Sequence, residues 1–276
     1  MRVRTTNKRT RKNTKAPERL GEEKLNNQGC LIKIIKYNEA NDIIVQFQDD
    51  YKAEVHTSYR HFSLGNVENP YYPSVHGIGI LGIKYPAKIN KKMTKEYDTW
   101  FQMIRRCFDE KHKNERPTYQ NVTCCKEWLL FENFYEWLHN QENFDKWYNG
   151  RDNNERWCLD KDILVKGNKT YSPKTCCLVP NNINVLFTNR KNYRGNLPIG
   201  VTKHGNQFVT QCMNPFTNNK KQEYLGAYLT PEKAFQVYKQ YKENIIKQVA
   251  EEEYVKGNIT KKCYEAMMKY EVEITD

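Results

Sequence analysis

The sequence has no long apolar run and no apolar stretch near its first residue. No run of eighteen or more apolar residues occurs, whereas a membrane-spanning helix needs about 20. The first residues also lack the apolar centre of a secretory signal. We therefore expect a soluble, cytoplasmic protein with no membrane partner, in which the cysteines are reduced.

Acidic residues are too few to balance the basic ones. The 276 residues include 45 Lys and Arg against 33 Asp and Glu, which gives a formal net charge of +12. Such a charge attracts a polyanion through phosphate contacts and counterion release. The hydrophobic fraction is only 38%, but 19 Tyr, 11 Phe and 5 Trp are enough to build cores. Composition thus favours a folded nucleic-acid-binding protein over a disordered chain.

The chain divides into segments of different composition. Residues 1–27 carry many Lys and Arg and almost no large apolar side chain, which indicates a flexible basic arm that either tracks phosphates or is simply solvated. Residues 28–90 contain short alternating runs at 31–37 and 43–47, separated by turn-forming residues. The pattern predicts a β-hairpin within a small β-rich module, for which a barrel-like form is one expectation.

Helical periodicity begins at residue 94. Thr94 is a suitable N-cap, and large apolar residues recur after it at helical spacing on one face. These residues are Tyr97, Trp100, Phe101, Ile104 and Phe108. A second aromatic helix is predicted over residues 128–138. With the strands around them, these helices predict an α+β, multidomain chain.

Residues 94–192 also contain closely spaced motifs. They read Trp100-x-x-Met103-x-x-Arg106-Cys107, Cys124-Cys125-Lys126-Glu127-Trp128, Leu159-Asp160-Lys161-Asp162, Gly167-Asn168-Lys169-Thr170-Tyr171 and Pro180-x-x-Ile183-Asn184. In this combination the segment resembles the HNH-type, or homing, endonucleases of bacteriophages. The resemblance is most specific between residues 159 and 187.

The resemblance implies a ββα-metal unit with nuclease activity. Residues 157–165 and 175–179 would supply the two strands, and residues 181–191 the helix. The implied reaction is hydrolysis of DNA phosphodiester bonds with a divalent metal, Mg²⁺ or Mn²⁺, which stabilises charge on the phosphate. By position, Asp160 and Asn184 match the metal-side residues, and Lys161, Asp162 and Asn168 complete the catalytic set.

The position of the general base departs from the family. Lys161 stands where a histidine is expected, and no histidine lies between His139 and His204. An ordinary lysine is protonated near neutral pH and is a poor base, so Asp162 is the alternative base for a metal-activated water. Two other classes stay open. One is a transcription regulator or other DNA-binding protein on a degenerate HNH-like scaffold, with Lys161 on phosphate, and the other is a phage protein that acts on host machinery.

Three cysteines match positions at which the resembled family tends to carry cysteine: Cys107, Cys125 and Cys176. A closed Zn²⁺ site needs four sulfur or imidazole ligands. The candidates for the fourth ligand are Cys124, Cys158 and Cys177. Because the chain has no Cys-x-x-Cys pair, two interpretations stay open: a structural Zn²⁺ site, and cysteines packed as small apolar groups.

Residues 196–250 have the pattern of three short strands and one helix. Thr230 followed by Pro231 marks the start of the helix. Through Ile199-Gly200-Val201 and Tyr224-Leu225-Gly226-Ala227-Tyr228, the segment resembles the Apetala or ethylene-response-factor type of DNA-binding domain. Residues 251–276 follow it as a charged C-terminal extension with a short final helix.

This second resemblance implies that the sheet enters the major groove of double-stranded DNA. The residues expected to face DNA are Thr202, His204, Gln211, Met213, Gln222 and Tyr224, and those expected on phosphates are Lys203, Lys220 and Lys221. The residues expected to face the helix are Val201, Phe208, Thr210, Cys212 and Leu225. Neutral residues largely replace the family's arginines on the outer face, so we expect modest base specificity, with Gln211 suited to adenine.

Overall fold

A computed structural model describes residues 16–150, 155–188, 195–217 and 222–276. Within these ranges the chain forms two compact units. The first comprises residues 16–87 and 130–132, and the second comprises the other described residues from 88 onwards. Both units combine helices with small sheets, so the predicted α+β class is confirmed.

The first unit is built on a four-stranded antiparallel sheet. Its elements are α1 Ala16–Arg19, β1 Glu23–Leu25, β2 Leu31–Glu39, β3 Asp42–Phe47, β4 Glu54–Thr57 and α2 Tyr59–Leu64. The predicted hairpin is confirmed, since β2 pairs with β3 and places Ile34 opposite Val45. Every second residue of β3 is buried because one face of the sheet packs on the core. The strand order β1-β2-β3-β4 is a meander with two edges and not the closed form of a barrel.

A buried carboxylate fixes the loop that ends this part of the chain. Glu132, which is 3% exposed, accepts hydrogen bonds from the backbone N–H groups of Ile83 at 2.6 Å and Lys84 at 2.8 Å. The Tyr71 hydroxyl donates to the same oxygen at 3.3 Å. Residues 65–82, expected as short strands or loops, form loops with isolated bridges.

The helical part of the second unit begins after a short hairpin. Its elements are β5 Lys88–Ile89, β6 Lys92–Met93, α3 Lys95–Phe108, α4 Glu110–Glu115, α5 Phe131–His139 and α6 Phe144–Asn149, and the first two residues of α5 belong to the first unit. Thr94 caps α3 as predicted, because its hydroxyl accepts the Tyr97 N–H at 3.2 Å. Phe101 and Phe108 were predicted on the buried face but are half-buried. That face also includes Met103 and Cys107.

The two strands and the helix predicted for the ββα unit are present. The elements here are β7 Thr123–Cys124, β8 Trp157–Asp160, β9 Thr170–Tyr171, β10 Cys177–Pro180 and α7 Asn181–Leu186. Strands β8 and β10 are antiparallel, and Asp160 lies opposite Cys177. β8 ends before the predicted residue 165, since the Asp160 carboxylate accepts two backbone N–H groups and turns the chain. Helix α7 ends at Leu186, and residues 189–191 of its predicted range lie outside the described residues.

The predicted three strands and one helix are also present in the C-terminal part. They are β11 Val201–His204, β12 Gln207–Met213, β13 Gln222–Tyr228 and α8 Pro231–Val255, followed by α9 Lys261–Met268. The Thr230 hydroxyl accepts the Lys233 N–H at 3.2 Å and caps α8. Helix α8 continues past residue 250, so the predicted boundary with the C-terminal extension falls inside a helix.

One hydrophobic cluster joins the segments that were predicted as separate domains over 94–192, 196–250 and 251–276. Its members include Ile163, Val179, Ile183, Val201, Cys212, Phe235, Ile245, Ile259, Cys263 and Met267. The buried Asn143 amide adds a polar link, donating to the carbonyl oxygens of Leu178 at 2.9 Å and Asn258 at 3.0 Å. The C-terminal segment is therefore part of the core of the second unit.

Several expectations fall outside the described ranges. They concern residues 1–15 of the basic arm and the phosphate contacts of Lys220 and Lys221, and they stay predictions. The arm was predicted to extend to residue 27, which is wrong for its last part, because β1 pairs with β2 in the sheet of the first unit. Among the helices that are described, none is both long and apolar enough to cross a membrane.

The packing of the sheet β11-β12-β13 against α8 predicts that alanine destabilises the fold more at one glycine than at another. Gly200 and Gly205 both have positive φ, +74° and +58°, so alanine costs roughly 1 kcal/mol of backbone strain at either position. A Cβ at Gly200 would lie 2.0 Å from the Tyr238 ring, whereas one at Gly205 meets nothing within 4 Å. Gly200→Ala should therefore lower the free energy of unfolding by about 1–3 kcal/mol more than the control Gly205→Ala. Urea unfolding measures both, and equal losses would contradict this packing.

Candidate functional site

Asp160 lies at the end of β8, where the strand turns into the next loop. Its Oδ1 accepts the N–H groups of Asp162 and Ile163, each at 2.9 Å. These hydrogen bonds hold the carboxylate inside the fold, where it is 7% exposed. The same turn brings the Asp162 carboxylate close enough for its charge to act on Asp160.

The pKa of Asp160 is raised to about 6. Burial is the largest cause, and the negative charge of Asp162 is the second. The two backbone N–H groups act in the opposite direction, because they stabilise the ionised form. An ionised Asp160 is thus disfavoured until a cation lies beside it.

Lys161 supplies one cation to this cluster. Its Nζ lies 3.2 Å from Oδ2 of Asp162, and its side chain is 11% exposed. The predicted position of the general base is therefore occupied by an ion-paired ammonium group, which has no lone pair to accept a proton. Asp162, whose side chain is 42% exposed, is the more accessible of the two carboxylates.

Asn168 stabilises the loop between β8 and β9 through hydrogen bonds of its side chain. Its amide nitrogen donates to the carbonyl oxygens of Lys161 at 2.6 Å and Thr170 at 2.8 Å. Its Oδ1 accepts the Thr170 N–H at 3.2 Å. With these bonds Asn168 fixes the two ends of the loop, and we interpret it as a positioning residue for its neighbours.

An open cleft of about 330 Å³ collects the other predicted site residues. Asp160, Lys161, Asp162 and Asn184 line it, and Asn168 does not. Helix α3 contributes further lining residues, and aromatic rings come from several elements. These residues are Thr99, Gln102, Arg106, Tyr119, Trp147 and Trp157.

Arg106 belongs to the sequence motif of residues 100–107, but no role in a site was predicted for it. Its Nη1 donates to the Tyr171 hydroxyl at 3.3 Å. A signal was present, since Arg106 follows Met103 by three positions and so lies near the apolar face of α3. A charged residue at such a position is a candidate for a buried polar role.

The donor set at the end of β8 fits a hard divalent cation. The carboxylate oxygens of Asp160 and the amide oxygen of Asn184, which line the same cleft, are ligand types that Mg²⁺ and Mn²⁺ prefer. Mg²⁺ commonly binds through one or two carboxylates and keeps several waters, so a small set is sufficient. Within the described ranges, no larger group of three or more His, Cys, Asp and Glu is arranged to hold a metal ion.

The cysteines considered for zinc are thiols with raised pKa values. Cys107 and Cys176 are buried, and burial raises the pKa of each to about 12. Cys125 is half-buried, and burial raises its pKa as well. These thiol pKa values are those of metal-free cysteines, so they bear on neither interpretation, and the structural Zn²⁺ site stays a prediction.

The outer face of the sheet β11-β12-β13 exposes most of the residues expected to face DNA. Those exposed are Thr202, His204, Met213, Gln222 and Tyr224, and Gln211 is half-buried. In the register Gln211 lies opposite Tyr224, whose side chain is 64% exposed. Lys203 is also exposed, but it lies opposite Phe208, which packs on the helix side. Because directly opposite residues share one side of a sheet, Lys203 is on the helix-facing side, and its phosphate contact stays a prediction.

The raised pKa of Asp160 predicts a stability that falls with rising pH between about pH 4 and about pH 6. In this window folded Asp160 keeps a proton that the unfolded chain, with an ordinary pKa of 3.8, has released. The free energy of unfolding should decrease across it by up to roughly 3 kcal/mol. Asp160→Asn keeps Oδ1 as the acceptor and should remove this decrease, so the variant is more stable than the parent above pH 7.

Urea unfolding in EDTA over this pH range measures the effect. Asp145→Asn, at an exposed carboxylate of α6, is the matched control and should keep the decrease. If Asp160→Asn is no more stable than the parent above pH 7, the ionised Asp160 carboxylate does not destabilise the folded protein and the prediction is wrong.

No protein-family model matches this chain, and no curated protein or solved structure matches it either. The resemblances to HNH-type endonucleases and to the Apetala type of domain therefore stay predictions. A function has to be proposed from the cleft at Asp160 and the exposed face of the sheet.

Proposed function

We propose that this chain binds double-stranded DNA with the outer face of β11-β12-β13 and hydrolyses the DNA backbone at the Asp160 cleft with Mg²⁺ or Mn²⁺. The observation that carries the proposal is the pair of carboxylates, Asp160 and Asp162, at the end of β8 in an open cleft. Strongly perturbed carboxylates in clefts are typical of sites that handle a cation or a proton. An HNH-type endonuclease is the class that this arrangement favours.

The residues at the end of β8 and on α7 have different roles in the proposed hydrolysis. Asp160 and Asn184 would hold the metal, and the bound metal would stabilise charge on the phosphate and on the leaving oxygen. Asp162 accepts the proton of the attacking water, because it is the accessible carboxylate and Lys161 is already protonated. Lys161 holds Asp162 in place through the ion pair of 3.2 Å.

DNA recognition is assigned to the sheet because its outer face exposes the polar side chains of Thr202, His204 and Gln222. The Gln211 amide is suited to a bidentate contact with adenine, and the exposed Tyr224 ring lies beside it in the register. Lys203, which is exposed on β11, supplies a phosphate contact, which positions the protein without reading sequence. Affinity then comes mainly from the net charge of +12.

A second candidate function is DNA binding without cleavage. The ion pair of Lys161 with Asp162 favours it, because the usual imidazole base is missing and the replacement carboxylate is partly neutralised. In that case the cleft catalyses no reaction, and the protein acts only by binding DNA through the sheet, as a transcription regulator does.

Nicking of supercoiled plasmid DNA separates the two candidates. We expect the purified protein to nick the plasmid with Mg²⁺ or Mn²⁺ and not in EDTA. Asp160→Ala should reduce the rate by about 100-fold or more, as expected when a residue that holds the catalytic metal is lost. Asp145→Ala, which removes an exposed carboxylate of α6, is the control and should keep the parent rate.

A gel shift of linear duplex DNA in EDTA accompanies this assay. Binding without nicking in either metal rejects the endonuclease and leaves the regulator. Nicking that survives in Asp160→Ala points to a contaminating nuclease or to a different site, and it also rejects the proposed cleft.

The assignment of the sheet to DNA predicts two separable effects on binding. Gln211→Ala should weaken binding to a preferred duplex by about 10-fold and relax base preference. Lys203→Ala should weaken binding to all duplexes and lower the slope of log K against log salt by about 1. The controls Gln248→Ala and Lys247→Ala replace exposed residues of α8 and should change neither quantity. If both sheet variants bind DNA as tightly as the parent, the sheet is not part of the DNA interface.

A further inference from the structure

Arg106 is a cation of the cleft that the proposed mechanism does not use. It lies on α3 and lines the same cleft as Asp160. Its Nη1 donates to the Tyr171 hydroxyl at 3.3 Å, and its guanidinium carbon lies 5.7 Å from the centre of the Tyr119 ring. Tyr171 is buried, and burial raises its pKa, so this partner is a neutral hydroxyl.

The guanidinium group has no anionic partner among the described residues. The adjacent Arg105 pairs with Asp109, with 3.8 Å between Nε and Oδ2. In the described part of the chain, no carboxylate lies within 4.0 Å of Arg106, and its contacts are a hydroxyl and an aromatic ring. Arginine carries five N–H donors, so most of them are left for a ligand. A partly buried cation without a counter-ion is costly, and an anionic ligand would offset that cost.

We propose that Arg106 forms a phosphate-binding site in the cleft and that its ligand is a phosphodiester group of the nucleic-acid backbone. This inference rests on the proposed function, because it names the group that the cleft holds. The planar guanidinium offers two parallel N–H donors that match two phosphate oxygens. The Tyr171 hydroxyl and the Tyr119 ring hold the group in place, so little side-chain entropy is lost when the phosphate binds.

The charges in the cleft indicate that binding of the phosphate and its hydrolysis differ in their need for a metal ion. The carboxylates of Asp98 and Asp160 line the same cleft and disfavour a phosphate until a divalent cation lies beside them, whereas Arg106 attracts it with or without metal. Lys161 is already paired with Asp162, which leaves Arg106 as the cation for the substrate. The site therefore binds phosphate in the absence of metal, and metal is needed only for cleavage.

The test uses thymidine 3′,5′-bisphosphate, a probe too small to span the cleft and the sheet. Its affinity for the full-length protein is measured by calorimetry in EDTA at low salt. Arg106→Gln should weaken binding by about 10- to 100-fold, the loss expected for a charge-assisted hydrogen-bond pair. Arg105→Gln removes the same charge one position away and should stay within about 2-fold of the parent. Equal affinity in Arg106→Gln and the parent overturns the proposal.

A conservative variant covers the case in which Arg106→Gln fails to fold. Arg106→Lys keeps the charge but loses the planar pair of donors, so it should bind the bisphosphate more weakly than the parent. Parent-like affinity in Arg106→Lys would show that the guanidinium geometry is not used, and this also overturns the site. Thermal unfolding of each variant checks that the fold is kept.

Failure of this inference and failure of the proposed function give different results. If the parent does not nick plasmid but binds the bisphosphate through Arg106, the phosphate site stands and the endonuclease does not. If the parent nicks plasmid and Arg106→Gln nicks at the same rate, the endonuclease stands and the phosphate site does not.

Discussion

The hydrogen bonds from the N–H groups of Asp162 and Ile163 to one oxygen of Asp160 fix the end of β8. They stop the strand, bury the carboxylate and set the direction in which the next two side chains leave the backbone. Lys161 and Asp162 take their positions from this turn, and Asn168 holds the far end of the same loop. The chemistry proposed for the cleft therefore depends on a short turn at the end of one strand.

The second constraint is the hydrophobic cluster shared by the ββα elements, the three-stranded sheet and the C-terminal helices. Because these parts bury their apolar faces against one another, the sheet and the cleft belong to one compact unit. For the proposed function, the DNA-binding face and the hydrolytic cleft need such a fixed relation, since the scissile bond would be chosen by its distance from the bases that the sheet contacts. A shared core supplies that relation without a linker.

Local patterns in the sequence were sufficient for much of the fold. The hairpin of β2 and β3, the caps Thr94 and Thr230, and the order of β11, β12, β13 and α8 all follow from alternation, helical spacing and capping chemistry. The role of Arg106 in the cleft was not predicted, because its contact with Tyr171 joins residues 65 positions apart in sequence. The same holds for the grouping of residues 251–276 with the core, since burial of Ile259 and Cys263 is a tertiary property.

The carboxylate of Glu132 adds a consequence for how the chain acquires its structure during synthesis. It accepts the Lys84 N–H across a separation of 48 residues, and residues 130–132 belong to the first unit. The four-stranded sheet can form as soon as residues 23–57 have left the ribosome, but the loop at Ile83 and Lys84 lacks its acceptor until residue 132 has emerged. The first unit therefore lacks these hydrogen bonds until residues that follow α3 in the chain have been made.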